Sequence, residues 1–325
     1  MKDTGHQALV LIGTCNGERF LLEQIESILR QEGGTLHILI RDDRSDDATA
    51  AILEDLERRY ETIEILTDNR GRVGYAQNFS LLMQEAYRRG ARYVLLSDQD
   101  DLWHPHRGAR QIAALERMER SNGPATPCLS HSDLQLIDEH GYVIAVSMRH
   151  EQGIRLPQPE QALAQLIAAN YVTGCTIAMN QALLALATPV PAVIRHHDHW
   201  IALCAAACGM IESDTAALVQ YRQHGANAIG GRKLWRSWRA KPSRLAVKIR
   251  HHRDDIRRLP ELLDALQQRC GSEAPEHARS LLAQAETVAA RRTSGLARYN
   301  GYKRLGIAPH DGARHLLWLM KNLIS

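Results

Sequence analysis

The chain has 325 residues, 44 % of them apolar, six cysteines with no C-x-x-C pair, and a formal net charge of +3. It has room for one large domain or two modest ones around a sizeable core, and the cysteines read as reduced cytosolic residues rather than a disulfide frame or a zinc site. The lack of any run of about 18 apolar residues excludes a spanning helix, and the opening MKDTGHQALVLIG is too short in its apolar run for a secretory signal, so a cytoplasmic chain is expected.

In chain order, Ala8–Thr14 (ALVLIGT) is a continuous apolar run of strand length. Glu18–Gln31 places Phe20, Leu21, Ile25, Ile28 and Leu29 on one helical face, and Gly33-Gly34 stops that helix. His37–Ile40 predicts a second strand, and Ser45 with Asp46 and Asp47 predicts the capped start of a second helix. A third strand at Ile63–Leu66, a helix at Tyr75–Arg89 and a fourth strand at Arg92–Ser97 complete the alternation. Strands alternating with helices predict an α/β fold with a mostly parallel central sheet and helices on both faces. Beyond it, Cys128–Asp138 and Tyr142–Ser147 read as a hairpin joined by EHG, Pro159–Ala169 as a helix and Cys175–Met179 as a short buried strand. Asp198–Cys208 reads as a helix ending at Gly209, followed by a strand at Ala217–Tyr221.

Ligands of such sheets bind outside the carboxyl ends of the strands. Those ends carry the polar clusters: Thr14-Cys15-Asn16-Gly17, Asp42-Asp43 and Asp98–Asp101. The topology therefore brings Asn16, Asp43 and Asp100 to one rim. Asp98-Gln99-Asp100-Asp101 suits a hard divalent ion that also holds substrate phosphates, or else a solvated turn that caps the next helix. A carboxylate of RDDRSDDAT (41–49) can accept an N–H from a nucleobase edge, or the stretch is a plain strand-to-helix loop. In RHHDHW (195–200) Asp198 reads as a general base at a helix start, or as an N-cap; zinc held by its histidines is a third reading. In VQYRQHGANAIGG (219–231) His224 offers an imidazole to a metal and Arg222 a cation to a phosphate.

Taken in order, TCNGERFLLEQIESILRQ, IRDDRSDDAT, GYAQNFSLL, LLSDQDDLWHP, HSDLQLID, TGCTIAMN, HHDHWIAL and YRQHGANAIGG resemble family-2 glycosyltransferases of the GT-A fold. The resemblance covers about residues 8–231 and is closest to the rhamnosyltransferase-like group of bacterial surface polysaccharide synthesis. It implies that Asp98 and Asp100 are the D-x-D that holds Mn²⁺ or Mg²⁺ on the donor diphosphate, with His224 a late metal contact. It implies that Thr14, Cys15, Asn16 and Glu18 line the nucleotide, that Asp43 contacts the pyrimidine, and that Asn78 and Asp98 lie near the donor. Asp198 matches the base of inverting members, and Asp101, His197, Trp200 and Arg222 are expected to orient groups or meet the acceptor. Partial burial beside Trp200 is expected to raise the proton affinity of Asp198. The chain departs from the family at Cys15, where Tyr is usual, at Arg44, and at His199, where HDHW stands for HDWW.

The charge is divided unevenly. Residues 231–325 carry 20 Lys and Arg against 8 Asp and Glu, whereas 1–230 carry 20 against 29. With the glycines of GANAIGG (225–231), this predicts a catalytic domain over 1–230 and a basic helical region over 231–325. The stretch 231–250 holds eight Lys and Arg, no acid, and two tryptophans, Trp235 and Trp238. It suits peripheral contact with an anionic membrane face, or packing as a helical cap; no recognised module points to nucleic acid. The expected function is metal-dependent, inverting transfer of a sugar from a nucleotide donor, dTDP-rhamnose first and a UDP-hexose second, to a saccharide or lipid-linked saccharide. The reading from another class is a zinc hydrolase built on residues 196–199.

Overall fold

The computed structural model describes residues 8–225, 258–290, 294–309, 315–316, 318–320 and 322, so the expectations for 231–250 lie outside the described residues. The chain divides into two compact units. The first comprises 8–148, 172–205 and 209–222; the second comprises 149–171, 206–208 and the described residues from 223 onward.

The first unit is built on a mixed sheet. Four strands, β1 (Ala8–Thr14), β2 (His37–Asp42), β3 (Ile63–Ile65) and β4 (Tyr93–Ser97), run parallel in the order β3-β2-β1-β4. Beyond β4 the order continues β8 (Ala178–Asn180), β6 (Cys128–Asp138), β9 (Met210–Gln223) and β5 (Leu102–Trp103), and β7 (Val143–Ala145) pairs with β6. Pairing turns antiparallel at β4–β8 and remains so for β8–β6, β6–β7 and β5–β9.

The apolar runs explain the layering. Both faces of β1 are covered, so its side chains need not alternate with polar ones. Val10 and Ile12 join Leu21, Ile25 and Ile28 of α1 (Leu21–Leu29), Leu53 and Leu56 of α2 (Thr49–Arg59), and Leu115 and Met118 of α4 (Arg107–Asn122) in one buried cluster. Helix α3 (Tyr75–Arg88) packs against β1 and β2, and α7 (Gln181–Ala187) packs against α3 and β4. A Cβ on Gly13 would stand 3.3 Å from the Phe79 ring, so the small residue lets α3 approach the end of β1.

Three local expectations change. Helix α2 begins at Thr49 rather than Ser45, because the Asp42 carboxylate takes both the amide and the hydroxyl of Ser45 into a loop. Arg44 supports that loop with a left-handed backbone (φ 62°). Gly174–Thr176 closes a 3₁₀ turn, so the strand expected from Cys175 starts at Ala178. Strand β9 is much longer than Ala217–Tyr221, since its first half consists of half-buried residues that carry no apolar signal.

In the second unit a helix spans 258–270, followed by helices at Glu276–Ala290 and Gly295–Arg304. Leu263, Leu266, Cys270, Ala278, Leu282, Ala285, Tyr299 and Tyr302 are buried there. No helix among the described residues is long and apolar enough to cross a membrane.

Gly209 ends α8 (His197–Cys208) where the chain turns into β9. A Cβ there would lie 1.9 Å from the Pro127 carbonyl oxygen, which is backbone and cannot swing aside. Gly209→Ala is therefore expected to lower stability by about 1–3 kcal/mol, as overpacking does, read as a drop in the denaturant midpoint at an unchanged slope.

Candidate active site

Parallel strands bring their C-terminal ends to one rim, and the polar loops there are stitched together. Gln99, the middle residue of D-Q-D, latches onto the end of β1: its side-chain oxygen accepts from Thr14 Oγ1 (2.6 Å) and the Cys15 amide (2.8 Å), and its nitrogen donates to the Cys15 carbonyl (3.1 Å). The Asp43 amide donates to the Thr14 carbonyl. Asn16, with a left-handed backbone (φ 54°), donates its amide to Ser45 Oγ and accepts the Asp46 amide. Glu18 accepts the Ala48 amide and donates its own amide to Asp47. The rim is thus one interlocked set of loops, and Asn16 and Glu18 hold its geometry.

Asp43 is more occupied than a free base-reading carboxylate. It is 3 % exposed, and its oxygens accept from Arg41 Nη1 (3.1 Å), the Val73 amide and the Gly74 amide (2.8 Å each). Three of about four acceptor positions are taken. Asn78 lies in the same wall, accepting from Arg41 Nη1 (2.9 Å) and donating to the Arg41 carbonyl. At 2 % exposure it supports the rim from behind rather than facing a donor. Arg41 ties both to Asp68 through Nε (2.8 Å). Arg72, from the loop after β3, reaches the carbonyls of Asp43 and Arg44 and lies near Cys15, whose thiol is pushed up by burial.

The acidic strand end is half-buried at Asp98 and Asp100 and sealed at Asp101. The carboxylates of Asp98 and Asp101 and the Cys175 sulfur lie within 4.8 Å of one another. Burial, then the charges of Asp100 and Asp198, push the Asp98 carboxyl up to about 7, while Arg107 opposes this. Asp101 and Cys175 also lie well above their usual ranges, burial being the main cause. Arg107 is a residue that the sequence reading missed. It is fully buried, its guanidinium stacks 3.6 Å from the Trp103 ring centroid, and it bonds Gln111 and the Leu96 carbonyl. Its Nη1 has no hydrogen-bond partner among the described residues. Its charge bears on Asp98 and Asp101, and burial lowers its proton affinity to about 9, which leaves it cationic at neutral pH.

Arg222 is corrected from a phosphate contact to a clamp. At 2 % exposure it donates its amide to Asp101 Oδ1, Nε to the Asp100 carbonyl (2.9 Å) and Nη2 to Glu23 (2.7 Å). Asp101, expected to orient groups or meet the acceptor, is sealed from solvent and holds the Arg222 amide, which leaves the orienting role. Trp200 is a core residue, fully buried with Nε1 on the Ala187 carbonyl (2.9 Å), so it fixes α8 rather than meeting a substrate.

The first turn of α8 carries Asp198, half-buried, and its charge reaches Asp98. A Cβ on Gly174 would stand 3.2 Å from His197 Nε2 and 3.4 Å from Asp198 Cβ, so this glycine gives the turn its room. His197 stacks on Phe79 (centroids 4.1 Å), and His196 Nδ1 lies 2.6 Å from the Tyr75 hydroxyl. Among the described residues these histidines do not gather a third metal ligand, and the group that does gather is Asp98, Asp101 and Cys175. The zinc-hydrolase reading of 196–199 is corrected accordingly. His224 is half-buried in the second unit, just after β9.

The residues present fit a divalent cation. Oxygen donors dominate, one of them (Asp101 Oδ2) is buried without a hydrogen-bond partner, and Asp98 is open enough to share an ion with a substrate phosphate.

Residues 9–127 match the model of glycosyl transferase family 2. Among curated proteins the chain is 34 % identical over 94 residues to dTDP-rhamnosyl transferase RfbG of Shigella flexneri, covering 29 % of this chain and 32 % of that one. It is 31 % identical over 115 residues to EpsE of Bacillus subtilis (strain 168), covering 35 % and 40 % respectively. The chain thus spans about a third of the length of the curated relatives it matches. Among solved structures, residues 1–349 of S. aureus TarS, in complex with UDP, superpose with a TM-score of 0.50 at 15 % identity over 92 % of this chain and 90 % of that one. The fold is the GT-A fold.

A carboxyl group held higher in the folded chain than in the unfolded one takes up protons on folding, so its contribution to stability is present at low pH and lost as pH rises through its folded value. The metal-free protein is therefore expected to lose stability between about pH 4, the unfolded carboxylate value, and pH 7. Asp98→Asn is expected to flatten this slope, measured as melting temperature against pH in a chelating buffer.

Proposed function

We propose, from the premise that residues 9–127 are a glycosyl transferase family 2 domain, that this chain transfers a sugar from a nucleotide donor to a saccharide or lipid-linked saccharide acceptor, with inversion. The observation that carries this reading is the approach of two carboxylate sites from separate elements: Asp98 directly follows β4, Asp198 lies in the first turn of α8, and the charge of Asp198 acts on Asp98. That spacing suits a leaving group held on one side and a base on the other.

The roles follow from what each residue can do. Asp198 takes the proton of the attacking acceptor hydroxyl as its oxygen bonds to the anomeric carbon, while the bond to the diphosphate oxygen breaks. Asp98 and Asp100 would hold Mn²⁺ or Mg²⁺, and an ion there would supply electrostatic stabilisation to a departing diphosphate. The β1 loop Thr14–Glu18 lines the nucleoside, and the remaining acceptor position of Asp43 receives a pyrimidine N–H. Attack opposite the leaving group inverts the anomeric carbon. RfbG, named a dTDP-rhamnosyl transferase, favours dTDP-rhamnose as the donor, and the UDP bound by TarS keeps a UDP-sugar as the second candidate. Peripheral contact of the basic stretch 231–250 with a cytoplasmic membrane face fits a lipid-linked acceptor.

The first experiment is a thermal-shift screen of nucleotide sugars with Mn²⁺, because a ligand specific to the folded state raises its melting temperature. A shift with dTDP-rhamnose or a UDP-sugar that chelation abolishes is expected; no shift with any nucleotide sugar overturns the reading. Asp198→Asn is expected to keep the shift and lower kcat by about 10²–10⁴-fold. Asp100→Ala is expected to lose the Mn²⁺-dependent part of the shift. Full turnover by either variant removes the role assigned to it.

A further inference from the structure

The acidic strand end has a member that the chemistry above does not use. Cys175 is 1 % exposed in the tight turn Gly174–Thr176, and its sulfur lies within 4.8 Å of the Asp98 and Asp101 carboxylates. The turn is fixed on both sides. Thr176 Oγ1 donates to the Thr173 carbonyl (2.7 Å), and Gln111 Nε2 donates to the Thr176 carbonyl (2.6 Å). Asp101 Oδ2 is buried in the same place with no well-aligned hydrogen-bond partner among the described residues, the Asp101 carboxylate facing only the Cys175 thiol on this side, although Asp101 Oδ1 accepts the Arg222 amide. Leaving a buried carboxylate oxygen unsatisfied is costly, so such an atom points to a ligand.

We propose that Cys175 adds a sulfur ligand to the Asp98 cation site, so that the site takes thiophilic divalent ions such as Zn²⁺ or Cd²⁺ in preference to Mg²⁺. The inference rests on the metal-dependent reading given above and deepens it. Three donors converge, and the half-buried side of Asp98 is the way in. The charges also favour a cation. On binding, the Cys175 thiol releases its proton to solvent, which leaves a thiolate beside the Asp98 and Asp101 carboxylates, with the Asp100 charge next to them and the Arg107 guanidinium offsetting one negative charge. Oxygen ligands alone suit Mg²⁺ and Mn²⁺, whereas a thiolate selects softer ions.

The test titrates the full chain with Cd²⁺ and follows the ultraviolet sulfur-to-cadmium charge-transfer band. The band is expected to saturate with the first ion bound and to persist when excess Mg²⁺ is added. Cys175→Ser is expected to lose that band and to bind Cd²⁺ about 10- to 100-fold more weakly. Cys15→Ser, which alters the other thiol near this rim, is expected to keep it. A band that survives in Cys175→Ser, or one that excess Mg²⁺ readily bleaches, overturns the proposal. If Cys175→Ser does not fold, Asp98→Asn decides: weaker Cd²⁺ binding with the thiol in place supports the site, and unchanged binding overturns it. The two readings fail separately. A Cd²⁺ band without any nucleotide-sugar shift keeps the sulfur site and overturns the transferase; a Mn²⁺-dependent shift without a Cys175-dependent band does the reverse.

Discussion

The constraint on which the rim depends is the gathering of like charges at the end of β4. Asp98, Asp100 and Asp101 stand within four positions, one of them sealed from water, and burial pushes the proton affinity of Asp98 and Asp101 upward. Removing carboxylates from water is unfavourable unless cations and hydrogen bonds replace the solvent. The chain meets this with two buried arginines far apart in sequence, Arg107 at the start of α4 and Arg222 near the end of β9. Arg222 works through geometry, pinning the Asp100 carbonyl and the Asp101 side chain. Arg107 works through charge, with one nitrogen left unpartnered beside the cluster. Arg107 is held by stacking on Trp103 and by neutral acceptors, so no carboxylate is bonded to it directly in the described contacts, and Asp98 keeps an open side for a ligand.

A third buried arginine organises the other half of the rim. Arg41 is 2 % exposed and distributes its donors over Asp43, Asp68 and Asn78. The Asp43 carboxylate then holds the amides of Val73 and Gly74, so the chain after β3 is drawn against the end of β2. Removing one partner of such a buried set leaves an uncompensated charge, which costs about 3–5 kcal/mol. The Asp43 side of the rim is therefore held in the same way as the Asp98–Asp101 side. In both, a buried guanidinium fixes a carboxylate that in turn fixes backbone.

Much of this was legible in the sequence, and what was not has physical causes. The parallel strands β1 to β4 announce themselves because both sheet faces are buried, which makes each strand a continuous apolar run. The gathering of polar clusters at their C-terminal ends follows from topology alone. Side-chain direction does not follow, and there the reading of single residues changed. Asn78 and Arg222 carry groups that suit ligands, yet both point into walls, because buried backbone carbonyls nearby needed donors. Trp200 is packed at the core by its position on α8, two residues from Asp198 and so on another side of the helix. Arg107 had no motif to mark it: a basic residue two positions after a proline looks like an ordinary helix-start surface residue. Gln99 was hidden by its place between two acids that carried the attention. The start of α2 was misplaced because Ser45 is a good cap in isolation, while Asp42, three residues earlier, competes for it.

The neighbour of the candidate base adds one more electrostatic consequence. His197 is buried against Phe79, and burial lowers its proton affinity to about 4, against the pull of the Asp198 charge. The imidazole is therefore neutral across the range in which enzymes work. An imidazolium next to a carboxylate would stabilise the carboxylate's charge and weaken it as a proton acceptor. A neutral, stacked ring supplies bulk and excludes water without that penalty. The charge of Asp198 in turn acts on Asp98 across the site, so the two carboxylates are electrostatically coupled rather than independent.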